Sequence, residues 1–430
     1  MTDITSTPTR FLHDKAIYLI LIMLGVLSTA CVTPLSVRRH EDVTLSNNDA
    51  DTILAEFSDV VSIADSDADF ACAEGFNVLP LVENAKPAQY IRSGGVSTYN
   101  ATADITSRAD FDAVMATPGY VKVVNSITWC GGFGANIIGC AGIDTTSMAV
   151  VRWTAGNEGS LWAHEYGHTV GLPHRANGSA IMNATLNGNQ DEVNAEECEA
   201  MVSRAVNHPL NDSGIVTGAG SAGSATAARE IEFPSSHHLE WKGEMDIIDF
   251  VSQTFIHGTP VELAEKFAGR KNEAILIEML FDSQESEHWG NIVFTLGVIG
   301  GSDSVPHIID WMEGMTETKM DWTDVRQISA GMMGLGYLAH RSDDSRALAY
   351  LSQSAYQGAQ SRDFQQRAME TTIAKSATIG VAMVGSDKSL RVLGELQNLQ
   401  DAKTSSAGFD ELFELHKEIR DYGLRDHFVR

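Results

Sequence analysis

Residues 164–175 read HEYGHTVGLPHR, from His164 to Arg175, and place three histidines and one glutamate within twelve residues. The spacing predicts a helix over Ser160 to Gly171. On that helix His164 and His168 stand four residues apart on one face, so two imidazoles can reach a single ion. Glu165, beside the first histidine, is placed to accept a proton from a water on that ion. Gly171 lets the chain turn out of the helix, because glycine tolerates positive φ at little cost. His174 can then swing back as a third ligand. Three neutral histidines leave the fourth zinc position to water, which separates a catalytic site from a structural one. Such an ion lowers the pKa of its water to about 7 and polarises a carbonyl, with Glu165 as base and then as acid to the departing amine.

The pattern HExxHxxGxxH, carried by His164, Glu165, His168, Gly171 and His174, resembles that of the metzincin zinc endopeptidases. Those proteins also have a methionine turn beneath the metal, and the resemblance implies that SAIMNATL supplies it through Met182. It implies an α+β catalytic domain, a twisted mixed sheet plus the active-site helix, binding one catalytic Zn2+ and acting on protein or peptide substrates. The likeness spans roughly residues 72 to 210. Arg175 follows the third histidine where the better-known subfamilies carry serine, aspartate, glutamate or proline, so no subfamily is assigned. Ala184 stands two residues past Met182, and a tyrosine ligand of the astacin type is not expected. No cysteine-switch propeptide is recognisable, which leaves latency without a device.

The N-terminus points to export. Arg10 and Lys15 precede an uncharged apolar run from Ala16 that reaches small residues at Ser28, Thr29 and Ala30 before Cys31. This is the order of a signal peptide over residues 1–30. Leu27 to Cys31 resembles a loose lipobox, which would acylate Cys31 and anchor the chain to a membrane. Ordinary signal cleavage beside Ser28 and Ala30 stays open. The remaining cysteines, Cys72, Cys130, Cys140 and Cys198, form an even set, which in an oxidising compartment reads as two disulfides. The glycine-rich CGGFGANIIGC loop favours Cys130 with Cys140, and so Cys72 with Cys198. Together these features predict an extracytoplasmic protein, secreted or lipid-anchored at the cell envelope.

Residues 31–70, polar and acidic, read as a tether. The protease-like domain is expected over 71–211, with strands at Phe76 to Val82, Tyr120 to Thr128 and Met148 to Trp153, and a helix at Arg108 to Met115. A Gly, Ser and Ala stretch at 212–230 reads as a linker that splits the chain in two. Residues 231–430 carry helical patterns throughout. Three segments align on Ser302-Asp303, Ser342-Asp343 and Ser386-Asp387, each pair between two amphipathic helices. That spacing, near 40 residues, resembles HEAT or armadillo repeats, an all-α solenoid with a surface for substrate or a protein partner.

With 57 acidic against 30 basic residues and a net charge of -27, the chain would repel phosphate backbones, so nucleic acid is not an expected partner. The first expectation is an exported zinc endopeptidase. Two alternatives stand beside it: a non-catalytic binding protein whose function lies in the helical repeats, and a zinc amidase acting on a cell-wall amide.

Overall fold

The computed structural model describes residues 32–62, 89–153, 157–186, 188, 190, 192–207, 231–234, 245–317, 319–358, 360–401 and 408–424. The signal over 1–30, Cys31, Cys72, the strand at 76–82 and the linker at 212–230 lie outside the described residues. An α+β part is followed by a helical part.

Residues 32–62, the described part of the stretch read as a tether, are built into the α+β core. They hold strands β1 (Val32–Leu35) and β2 (Val37–His40) and helix α1 (Asn47–Ser62). Their acidic residues outnumber the basic ones, but Ala50, Ile53, Leu54, Phe57 and Val61 fall at helical spacing and are all buried. The strands that follow are β3 (Gln89–Arg92), β4 (Ser97–Tyr99) and β5 (Asp104–Ile105). Helix α2 (Arg108–Met115) lies where the sequence predicts it, capped by Ser107, whose side chain accepts from the Asp110 amide.

Strands β6 (Val121–Val124), β7 (Ser126–Trp129), β8 (Phe133–Ile137), β9 (Gly139–Ala141) and β10 (Met148–Val151) complete two sheets. The larger sheet runs β4-β2-β6-β10-β9. Its first four strands are parallel and β9 alone runs antiparallel, at the edge. Strands β6 and β10 are buried along their whole length, in keeping with their valine-rich sequences, and Lys122 is the one charged residue within them. The smaller sheet is β5-β7-β8. A disulfide between Cys130 and Cys140 joins the end of β7 to the edge strand β9, as expected. Cys198 is disulfide-bonded as well.

Helix α3 (Glu158–Thr169) carries the histidine motif and packs beside α1. Its start is fixed by Glu158, which accepts from Arg152 Nε at 2.8 Å and from the Trp153 amide at 2.7 Å. Strand β11 (Thr185–Leu186) and helix α4 (Ala195–Asn207) close the first part.

The second part opens with α5 (Ile247–Val251), β12 (Thr254–Phe255), α6 (Val261–Glu265) and α7 (Arg270–Leu280). Three helix pairs then follow: α8 (Trp289–Ile299) with α9 (Ser304–Thr316), α10 (Trp322–Ser342) with α11 (Ser345–Gln357), and α12 (Phe364–Met383) with α13 (Asp387–Asp401). The three Ser-Asp pairs fall at the three junctions. First helices pack on first helices, α8 on α10 and α10 on α12. Gly297 meets Gly334 and Gly336 meets Gly380 so closely that a Cβ would strike backbone. Helix α14 (Phe409–Tyr422) ends the described chain.

A glycine-rich linker predicts two separate bodies, yet buried residues of both parts form one continuous core. Polar contacts cross the junction too. Asn136 Nδ2 donates to Asn291 Oδ1 at 2.8 Å, Thr372 Oγ1 to Asp104 Oδ2 at 2.7 Å, and Glu411 accepts from the Arg108 amide at 2.9 Å. No described helix is long and apolar enough to cross a membrane.

Candidate metal centre

Helix α3 is buried on every side, and His164, Glu165 and His168 are fully shielded from solvent. Its C-terminus explains how a third histidine reaches the first two. The Leu172 amide bonds to the Gly167 carbonyl at 3.0 Å and the Gly171 amide to the His168 carbonyl at 2.9 Å, with Gly171 at φ +95. This pair of bonds around a left-handed glycine is the Schellman ending of a helix, and it reverses the chain so that His174 lies against the helix face. The centroids of the His174 ring stand 5.3 Å and 4.9 Å from those of His164 and His168.

The turn through Met182 supports this arrangement from below. A Cβ on Gly167 would lie 2.2 Å from Met182 Sδ, so the fully buried methionine rests directly on the helix backbone. The Arg175 amide donates to the Met182 carbonyl at 2.8 Å, and Arg175 Nε pairs with Glu197 Oε1 at 2.9 Å on α4. Arg175, the departure from familiar metzincin subfamilies, therefore ties the His174 loop to a neighbouring helix.

The structure adds a candidate ligand that sequence spacing did not identify. His257 enters from the helical part, and its Nε2 lies 3.3 Å from His164 Nε2 and 3.2 Å from His168 Nε2, which are themselves 2.9 Å apart. One ligand atom from each of His164, His168, His174 and His257 falls within 4.8 Å of all the others. Where the sequence leaves a fourth position to water, the structure places this side chain close enough to offer a fourth donor. No local motif announces it: TFIHGT offers only a histidine between apolar residues and a glycine, far along the chain from the other three.

The donor set fits a metal ion. His164 Nδ1 lies 2.8 Å from the Ile181 carbonyl and His168 Nδ1 2.8 Å from the Leu172 carbonyl. A carbonyl can only accept, so each Nδ1 carries the proton and each Nε2 turns a lone pair toward the cluster. The ring of His257 is held by a hydrogen bond to the Gly139 backbone. A tetrahedral ion with metal–nitrogen bonds of about 2.0–2.1 Å has nitrogen–nitrogen edges of about 3.3 Å, close to the three separations among His164, His168 and His257. Without a cation these lone pairs would repel one another. Burial, joined by the charge of neighbouring histidines, drives the His164 pKa down to about 3 and those of His168 and His257 well below the usual imidazole value. The rings are thus neutral, the form that ligates a metal.

Glu165 completes the site. Burial pushes its carboxyl well above the ordinary range, and neither carboxylate oxygen has a hydrogen-bond partner. Its Oε1 lies 3.7 Å from His257 Nε2. Strand β9 comes so close that a Cβ on Gly139 would stand 2.2 Å from that oxygen, so only glycine there leaves room for the carboxylate.

A buried group of four histidines that can hold a metal ion, with an unpartnered carboxylate against it, is what the fold assembles. Comparisons of this chain with protein-family models, with curated proteins and with solved structures return no match.

Proposed function

We propose that the protein is a zinc-dependent endopeptidase of the metzincin type, exported from the cytoplasm, in which His164, His168 and His174 hold the ion and Glu165 is the general base. The observation that carries this reading is the carboxylate of Glu165, buried beside the ligand set without a hydrogen-bond partner. An unsatisfied buried polar group costs about 1–3 kcal/mol, and more when charged, and a hydrolytic site needs such a group beside the ion as its base. A nitrogen-only tetrahedral donor set favours zinc over calcium or magnesium, which take oxygen ligands. Zinc, when bound, supplies Lewis acidity that acidifies water and polarises a carbonyl. Glu165 Oε1 or Oε2 takes a proton from the attacking water and returns it to the leaving amine. Met182 and the carbonyls of Ile181 and Leu172 keep the imidazoles in register.

Export is part of the proposal, supported by the Cys130–Cys140 disulfide, since such bonds persist in oxidising compartments. The outer helices of the three pairs offer a surface for substrate or a protein partner.

His257 at the fourth corner favours a second reading, in which the ion only staples the two parts of the chain and catalyses nothing. The test uses a His257→Ala background, where the fourth corner is open. Endopeptidase function predicts hydrolysis of denatured casein that disappears when Glu165→Ala is added while about one zinc per chain remains. A staple predicts no hydrolysis in either protein, and weakened metal retention once His257 is gone.

A further inference from the structure

The segment that delivers His257 is bonded on both of its edges. On one side β12 pairs antiparallel with β11, Thr185 opposite Phe255 and Leu186 opposite Thr254, and the Ile256 amide donates to the Ala184 carbonyl at 3.0 Å. On the other side the Ile256 carbonyl accepts from the Ile138 amide at 2.9 Å and the Gly139 amide at 3.3 Å. His257 forms an antiparallel bridge with Ile137, and the Thr259 amide donates to the Ala135 carbonyl at 3.0 Å. Gly258, at φ +91, passes so close that a Cβ would lie 2.6 Å from the Ala135 oxygen. The chain therefore runs extended between the edge strand and the segment after the Met182 turn, directly across the metal ligands.

We propose that residues 254–259 are an intrachain plug, lying in the groove where an extended peptide substrate would bind and filling the fourth metal position with His257. This rests on the endopeptidase reading above. An extended substrate satisfies its backbone groups by pairing with strand edges, and the available groups here, the Ala184 carbonyl and the Ile138 and Gly139 amides, are already used by Ile256. Plug and substrate compete for the same atoms. The plug is also anchored from behind. Asn291 Nδ2 donates to the Val251 and Gln253 carbonyls and its Oδ1 accepts from Thr259 Oγ1 at 2.8 Å, while Phe255 and Ile256 are buried in the shared core. The folded chain is thus latent, and it acquires activity only when the helical part withdraws this strand.

The experiment uses the full chain with cobalt(II) in place of zinc and reads the visible spectrum of the ion while acetohydroxamate, a small ligand for an open metal position, is added. Where the open state is below about a tenth of molecules, apparent affinity is reduced about tenfold or more. The wild-type spectrum is expected to resist acetohydroxamate, and His257→Ala to show a changed spectrum and binding tighter by about tenfold or more. Asn291→Ala, which touches no ligand, loosens the anchor and moves binding in the same direction; it decides the matter if His257→Ala does not fold. Equal acetohydroxamate binding by wild type and the variant that folds overturns the plug, as does an unchanged cobalt spectrum in His257→Ala. A His257→Ala protein that binds acetohydroxamate at its metal but cleaves no peptide upholds the plug and removes the endopeptidase reading instead.

Discussion

Replacing Glu165 by methionine should make the metal-free protein more stable and, in the His257→Ala background where the fourth corner is open, lower the hydrolysis proposed for it. The side chain is 0% exposed and both carboxylate oxygens lack hydrogen-bond partners. Its nearest basic neighbour, His257 Nε2 at 3.7 Å, is held neutral by burial and so gives it no counter-charge. Methionine keeps the length and flexibility of the side chain and removes the desolvation cost, worth about 1–3 kcal/mol for an unsatisfied buried polar group. With an m-value of about 3 kcal/mol/M in urea, the unfolding midpoint of the chelated protein should rise by roughly 0.3–1 M. The difference should shrink or reverse when zinc is restored, because the carboxylate then lies against a dication. Hydrolysis in the His257→Ala background should fall by about 10²–10⁴, the usual contribution of a general base. Urea unfolding followed by circular dichroism, with and without chelator, makes the measurement. A metal-free Glu165→Met protein that unfolds at lower urea than wild type refutes the reasoning, because it would mean that the carboxylate is satisfied in a way the geometry does not provide.

Two further outcomes follow from the scaffold. Gly171→Ala forces an L residue into φ +95, where open space surrounds the missing Cβ, so the cost is backbone strain of about 1–2 kcal/mol. Because this turn presents both the Leu172 carbonyl and His174, zinc affinity measured by chelator competition should drop about 10- to 100-fold. Lys122→Met tests a cation inside the central strand β6: Lys122 is 1% exposed, its Nζ donates to the Gly119 carbonyl, and burial, helped by Arg38, lowers its pKa to about 7. The folded-state value lies below the unfolded one, so wild-type stability should rise between pH 7 and the usual lysine range, by at most about 1.4 kcal/mol per unit, and Lys122→Met should be the more stable protein at pH 7 with that rise flattened. A wild-type stability that instead falls over this window counts against the burial of a neutral lysine.

What sequence made legible was what local spacing encodes. The interval between His164 and His168, the glycine at 171 and the return of His174 are all set within one helix and its ending, and the observed helix, Glu158–Thr169, lies within two residues of the expected one at each end. Helix α2 and the buried strands followed from the same kind of periodicity, as did the helix junctions at the three Ser-Asp pairs. Composition misled where it was allowed to outweigh period. Residues 47–62 hold several acids, yet Ile53, Leu54, Phe57 and Val61 mark an apolar face that packs beside the histidine helix. His257 could not be found this way, since its role depends on strand pairing with residues 137–139 and 184–186, and tertiary pairing of that kind leaves no spacing rule behind.

The separation of ligands between two parts of the chain has an energetic consequence that a motif confined to one helix does not. His164, His168 and His174 are placed by helix α3 and its Schellman ending, whereas His257 is placed only while β12 stays paired with β11 and Asn291 holds the chain on either side. A donor that belongs to a docked strand binds an ion only in the docked state, so metal affinity and docking are linked, and each strengthens the other by the same factor. Losing the fourth imidazole would weaken the grip on an ion but leave the His164 and His168 rings held, since the Ile181 and Leu172 carbonyls that accept from them, and Met182 beneath the helix, lie in the first part. The undocked state would therefore keep the three-histidine arrangement and expose it, while the docked state is the more stable and the closed one. On the proposed reading, one ion would stabilise the assembled chain and also wait within it as the centre of a hydrolase, with the strand through His257 deciding between the two roles.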